Sequence, residues 1–343
     1  MKKNSIGIGL IGCGGYARLN LEALARAEGM HLAAAFDIDP VRVRETCAKF
    51  GGVPASSQAA LLAMPAVEAV IVATPNSQHC ADVLASLEAG KHVFVNIPAT
   101  ISTDEARRMI ERARACDRVL MAGANHRKNP AVLALQAALR SGAIGVPHLM
   151  QASVSSPTAY KLAPDSWRAT VSGAPLLPFS QMGIIALEVA LMLWGPPATV
   201  SAFIAKRDGP TATPDHGAMI ARYADGRIFS VTCSYVAYKS YWIAVSGPKG
   251  TATWDRIDGN CVRIDAEPTL VRTPYESKDE QLDELHEFRD CIRHGKEPGV
   301  GAECIYNLAE FYRTIGESIA SGRATPFVPW KKGGSGDPAS IPC

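Results

Sequence analysis

The segment Gly12-Cys13-Gly14-Gly15-Tyr16-Ala17 is the first place in this chain where residue types and spacing could do chemistry. Gly12, Gly14 and Ala17 have the GxGxxA spacing that turns a strand sharply into a helix. Gly12 would permit the turn, Gly14 would leave room for a pyrophosphate, and Ala17 would let helix and strand pack closely. The N-terminus of that helix would face the phosphate charge. Asp37 lies 20 positions beyond Ala17. A carboxylate there can hydrogen-bond both ribose hydroxyls and would repel a 2′-phosphate; alternatively it caps the turn that follows. Ile38-Asp39-Pro40 brings no cation for such a phosphate, and Arg42 is the nearest one. The expected ligand is a dinucleotide, with NAD favoured over NADP. Further along, Asn125-His126-Arg127-Lys128 offers His126 as a proton carrier. Tyr160-Lys161 could act as acid and base if the lysine lowered the tyrosine pKa. Both clusters could equally be structural or solvated. Asp215-His216 reads as the end of a strand.

These residues need a scaffold. From Ile6 to about Met121 short apolar runs alternate with amphipathic helices. Ile6–Ile11, Met30–Phe36, Val67–Ala73, His92–Val95 and Val119–Met121 read as strands. Ala17–Glu28, Val41–Phe50, Ala81–Ala89 and Thr103–Ala115 read as helices. Such alternation predicts βαβ units on a parallel sheet, an α/β Rossmann domain over residues 1–122. The pattern then changes. After a helix at Pro130–Arg140 come runs of period two, Met219–Tyr223 and Ile228–Val236, around the turn signal Asp225-Gly226. Ile243–Ser246 and Thr251–Trp254 predict a second hairpin, and helices at Asp279–His294 and Glu303–Ser321 close the chain. This predicts an α+β domain over 123–330 with a large, mainly antiparallel open-faced sheet, then a mobile tail at 331–343.

Composition narrows the functions. A chain of 343 residues with net charge +2 carries too little charge to argue for nucleic acid or an anionic membrane. Its nine cysteines are scattered with no CxxC pair, so neither a metal site nor a disulfide framework is expected. Lys2 and Lys3 precede an apolar run, but that run is short and leads into the glycine-rich turn. A cytoplasmic protein without membrane spans is expected.

With Ala73-Thr74-Pro75-Asn76-Ser77-Gln78-His79 added, the chain resembles the Gfo/Idh/MocA family of NAD(P)-dependent oxidoreductases. Glu88–Val93, Gly142–Gly145, Trp167-Arg168 and Ser321-Gly322-Arg323 carry the same resemblance. It runs from Ile6 to about Phe327. The resemblance implies that Ala73, Thr74, Pro75, Asn76 and His79 wrap the nicotinamide side of the cofactor. It implies the same neighbourhood for Asn96, Ile97, Pro98, Asn125, Trp167 and Arg168. It also brings the Tyr160-Lys161 loop toward the substrate.

The resemblance breaks at the positions that usually move protons. The family's Glu-Lys-Pro triplet is Asn96-Ile97-Pro98 here, and its Asp-x-Gly-x-His segment is Gln181-Met182-Gly183-Ile184-Ile185. Isoleucine cannot donate, accept or titrate, and Gln181 can hydrogen-bond but not exchange a proton. Glu188 falls where the family often has Asp or His. The implied function is an NAD-dependent oxidoreductase acting on a sugar, polyol, keto or imine-like small molecule through a non-standard site. An NAD-dependent glycosidase using transient oxidation, and an inactive NAD-binding regulatory protein, remain alternatives. Apolar positions such as Ile220, Ile228 and Val231 on the open sheet face predict a homodimer or homotetramer.

Overall fold

The computed structural model describes residues 5–331, apart from 164, 208, 267, 268, 277 and 278. The tail predicted to be mobile lies, beyond Lys331, outside the described residues. The chain divides into two compact units.

The first unit is built on six parallel strands: β1 (Ile6–Ile11), β2 (Met30–Phe36), β3 (Val53–Pro54), β4 (Ala69–Val72), β5 (His92–Asn96) and β6 (Leu120–Gly123). Their order is β3-β2-β1-β4-β5-β6. Every residue of β1 and β4 is buried, as strands covered on both faces must be. The helices are α1 (Gly15–Leu24), α2 (Pro40–Phe50), α3 (Gln58–Leu62), α4 (His79–Glu88) and α5 (Thr103–Ala115). α1 starts at the glycine-rich turn and ends at Leu24, a turn earlier than the periodicity suggested. Strand order reverses between β1 and β4, the place where sheets of this kind open a ligand crevice at their C-terminal edge. Residues 12–17, 37, 73–76, 97–98 and 125 all follow the C-terminal ends of strands of this sheet.

The second unit holds a nine-stranded sheet. Its strands are β7 (Leu149–Ser155), β8 (Thr199–Ala205), β9 (His216–Arg222), β10 (Ile228–Ser234), β11 (Ser240–Gly247), β12 (Gly250–Asp255), β13 (Cys261–Ala266), β14 (Thr269–Pro274) and β15 (Thr325–Pro326). Both predicted hairpins are present, β9–β10 and β11–β12. The sheet is antiparallel except where β7 lies parallel to β10. α6 (Pro130–Arg140) packs on β12 and β13, and α7 (Ile184–Trp194) packs on β7. A wide, π-type helical turn, Pro178–Gly183, leads into α7. Side-chain alternation leaves Ile220 and Ile228 exposed at 54% and 41%, whereas Val231, expected beside them, is buried at 2%. Val231 is odd-numbered in a strand whose even positions face outward, so it belongs to the packed face.

Two helices follow, α8 (Glu280–His294) and α9 (Ala302–Ser321). A cut near residue 122 would place α8 with the second unit, but Asp279–Tyr306 belongs to the first. The reason is apolar: Leu285 and Phe288 join the core made by β1, β2 and α1. Phe288 meets Phe94 edge-on at 5.7 Å between ring centres. Arg26 pairs with Asp279, and Arg293 pairs with Glu68 at 2.9 Å. Among the described residues no helix is long and apolar enough to cross a membrane.

Removing the buried ring at the α8 contact should be costly. Phe288→Ala is expected to destabilise the first unit by about 3–5 kcal/mol, read as a lowered urea midpoint. An unchanged midpoint would show that α8 adds nothing to that core.

Candidate functional site

The glycine-rich turn meets the requirements of a dinucleotide cradle. Gly12 has φ of +90°, and a Cβ there would lie 2.8 Å from the Ala73 carbonyl carbon and the Thr74 nitrogen. No other residue fits this approach of the two loops. A Cβ on Gly14 would meet nothing within 4 Å, so the space above it is open. Gly15 and Tyr16 are exposed at the start of α1, and Ala17 is buried behind them. α1 receives no side-chain cap, which leaves its first N–H groups for a ligand.

Asp37 sits at the next strand end. Its Oδ2 accepts the Cys13 N–H at 2.7 Å and its Oδ1 accepts the Asp39 N–H at 2.9 Å. These bonds aim the carboxylate and leave a lone-pair direction on each oxygen for ribose hydroxyls. Asp39 caps α2 through Val41 N–H and pairs with Arg42 at 3.3 Å. The nearest cation for a 2′-phosphate therefore has a carboxylate partner of its own. Ile38 is 95% exposed beside them, an apolar surface at the adenosine end. A cleft of about 380 Å³ runs between α1 and α2 from Cys13, Gly14 and Gly15 to Arg42 and Phe50. Burial raises the Cys13 thiol to about 11, which keeps it protonated.

Three resemblance-implied residues act as braces. Burial pulls the His79 pKa down, while two carbonyls and Asp82 oppose that pull. The carbonyls are those of Thr74, 2.8 Å from Nε2, and Pro98, 2.9 Å from Nδ1. Each ring nitrogen faces a carbonyl within the chain, and the neutral ring donates its single N–H to one of the two. Thr74 donates its hydroxyl to Asp82 at 2.6 Å. Asn96 is buried and accepts from Asn20 at 3.0 Å. Ala73, Pro75, Asn76, Ile97 and Asn125 are partly exposed along the same edge, while Pro98 is buried beyond a cis bond.

In the second unit, Trp167 and Arg168 lie on a short helical turn, Trp167–Ala169. The Arg168 guanidinium lies over the Trp167 ring, 4.4 Å from its centre, and its Nε donates to Gln181 Oε1 at 2.9 Å. The π-type turn carries Gln181, and the partly exposed Ile185 follows in α7. Tyr160 and Lys161 end another short turn, both exposed, and neither side chain forms a hydrogen bond with any described residue. The structure therefore does not assemble them as a coupled pair. His126 is buried, and burial with Arg127 and Arg256 nearby lowers its pKa to about 3. Its ring is neutral in ordinary solution. Asp215 is fully buried, accepts Gly209 N–H at 2.9 Å and bonds His216 at 2.7 Å, anchoring the start of β9.

Glu188 stands where the family often has Asp or His, but its partner was not readable in the sequence. It is wholly buried in α7 and accepts from Arg127 Nε at 2.8 Å. Its Oε1 and the Tyr312 hydroxyl are buried with no hydrogen-bond partner among the described residues. A lone carboxylate in the apolar run Ile184–Trp194 was the available signal.

Two outcomes test this geometry. Gly14→Val should fold with an unchanged melting temperature, because its side chain enters open space, yet lose NAD binding by calorimetry. His126 binds fewer protons folded than unfolded, so its contribution to stability is full above its ordinary pKa and falls as pH drops toward the folded value. His126→Gln should flatten the loss of stability between about pH 6.5 and about pH 4, measured by urea midpoints.

Comparison with known proteins converges on one family. The chain is 28% identical over 310 residues to the myo-inositol 2-dehydrogenase of Thermotoga maritima, covering 86% of this chain and 91% of that one. It is 32% identical to the trans-1,2-dihydrobenzene-1,2-diol dehydrogenase of Oryctolagus cuniculus over 68% of this chain and 69% of that one. A levoglucosan dehydrogenase solved with NADH and levoglucosan superposes with a TM-score of 0.87 at 20% identity, covering 94% of this chain and 99% of that one. Residues 6–124 match the oxidoreductase family with an NAD-binding Rossmann fold, and residues 132–253 match the GFO/IDH/MocA C-terminal domain. With a cradle that fits NAD at one end and both family regions present, this chain belongs to the Gfo/Idh/MocA oxidoreductases.

Proposed function

We propose that the chain is an NAD-dependent dehydrogenase acting on a hydroxyl of a sugar- or polyol-like small molecule, through a site that lacks the usual proton-transferring side chains. The observation that supports this most is the pairing of an open Gly14 with a carboxylate at Asp37 held by two backbone N–H groups. The relatives' names, an inositol dehydrogenase and a dihydrodiol dehydrogenase, suggest the substrate class.

The residues that would hold NAD are Gly12 to Ala17 at the pyrophosphate, Asp37 at the ribose, and the Ala73–Asn76 and Ile97–Pro98 loops at the nicotinamide end. The nicotinamide ring, when bound, takes or gives a hydride. The chain's own part is orientation. His79 fixes the spacing of the Thr74 and Pro98 loops through its two carbonyl contacts. Gln181 would hydrogen-bond a substrate hydroxyl without accepting its proton. Neither Ile97, just after β5, nor Ile185, in α7, can accept or donate a proton. His126, with a pKa of about 3, is too weak a base to hold that proton near neutrality. The proton therefore leaves to water, and turnover is slow.

This predicts a particular kinetic signature. NADH formation, followed by absorbance with a panel of polyols and sugars, should rise steadily with pH and show no inflection near neutrality. The triple variant Ile97→Lys, Gln181→Asp, Ile185→His should raise kcat by about 10²–10⁴-fold and introduce an inflection. Tight NAD binding with no turnover in either form would mark a non-catalytic binding protein. Release of an aglycone without net NADH would mark the glycosidase.

The assembly follows from the second sheet. Phe203, Ile220 and Ile228 are 75%, 54% and 41% exposed on its outer face. A second copy of the chain is the proposed cover, giving a cytoplasmic homodimer or homotetramer.

A further inference from the structure

We propose that Arg168 is a recognition site for a carboxylate, so that the substrate is an acid, such as a sugar acid or hydroxy acid, instead of a neutral polyol. This rests on the reading of the chain as an NAD-dependent dehydrogenase and sharpens its substrate class. Arg168 is half-buried, and among the described residues it has no carboxylate partner. Its one hydrogen bond goes from Nε to the neutral amide of Gln181. An aspartate at that position would cancel the charge. Glutamine fixes the guanidinium in place and leaves the charge whole.

The surroundings make that charge count. Trp167 lies against one side of the guanidinium, its ring centre 4.4 Å from Cζ. Trp167 and Met182 pack on an apolar cluster of Ala159, Ala174, Leu177 and Tyr235. Tyr235, whose charge Arg168 would feel, is held protonated by burial. A cation on such a wall is poorly screened by water, and removing it from water has already been made costly. The terminal nitrogens of Arg168 make no hydrogen bond with described residues. They form the fork that matches two carboxylate oxygens. The Gln181 Nε2, also without a partner, adds a donor beside it. A single positive charge balances a single carboxylate, which favours that group over a phosphate ester.

The contrast elsewhere in this unit supports the choice. Arg127, Arg227 and Arg313, half-buried like Arg168, have Glu188, Asp225 and Glu310 against them. The chain supplies an internal counterion in these cases and omits it at Arg168.

The test uses the full chain loaded with NAD. Calorimetric titration would compare sugar acids and hydroxy acids with uncharged counterparts at constant ionic strength: D-gluconate against D-glucitol, D-galacturonate against D-galactose, and D-tartrate and L-tartrate against erythritol. At least one acid should bind about tenfold or more tightly than its counterpart. Both Arg168→Met and Gln181→Asp should abolish that preference in the NAD-saturated protein, with far-ultraviolet dichroism unchanged. The second variant keeps the arginine, gives it an internal anion and removes the amide donor, so loss in both with unchanged dichroism does not come from misfolding. The proposal is overturned if no acid is preferred, if a sugar phosphate alone is preferred, or if either variant keeps the preference. NADH formation is read separately. Preferred acid binding without NADH would remove the dehydrogenase reading and leave the carboxylate site; turnover of neutral polyols without acid preference would do the reverse.

Discussion

Everything in the first unit depends on one close approach, the backbone of Gly12 against Ala73 and Thr74. Because no side chain stands between them, Gly12 N–H reaches the Phe36 carbonyl and Ala73 N–H reaches the Ile11 carbonyl, each at 2.8 Å. The ends of β1, β2 and β4 are thereby tied. Cys13 N–H extends the tie to Asp37, and His79 extends it the other way, from Thr74 to Pro98. Four strand ends are linked by these contacts, which combine backbone bonds with the Asp37 and His79 side chains. Such a frame holds the loops in place for a ligand.

The second unit handles charge differently. Glu188 is buried at the cost of desolvation and is offset by Arg127. Asp215 is buried and satisfied by backbone N–H groups and His216. Both carboxylates are internal structure. Arg168 departs from this pattern, held by an amide and a ring and answered by no anion within the described chain. In a fold where other buried charges are matched, the unmatched one draws attention to what it could meet from outside.

Much of the architecture was legible because the physics is local. β1, α1 and β2 follow from an apolar run, a glycine turn and a carboxylate, all within one βαβ unit. The hairpin at Asp225-Gly226 is equally local, with Gly226 at φ +90°. What escaped was non-local. Val231 looked like an outward position until the register of β10 set it inward. His79 was assigned to the cofactor by resemblance, and its two ring nitrogens face carbonyls 5 and 19 residues away. Tyr160 and Lys161, neighbours in sequence, form no side-chain hydrogen bond with any described residue. The Arg127–Glu188 pair spans 61 residues and left only a solitary carboxylate as a trace.

The membership of α8 in the first unit bears on how the protein is made. Leu285 and Phe288 belong to the same core as Ile8 and Leu10, nearly the full length of the chain away. During synthesis the dinucleotide-binding sheet emerges first but waits for α8 to cover it. Its core lacks this cover while β7 to β14 are translated. The two units cannot mature in sequence like beads on a string; the first is begun early and closed late. A genetic cut after Asn125, natural by the look of the sequence, would therefore release an unfinished core.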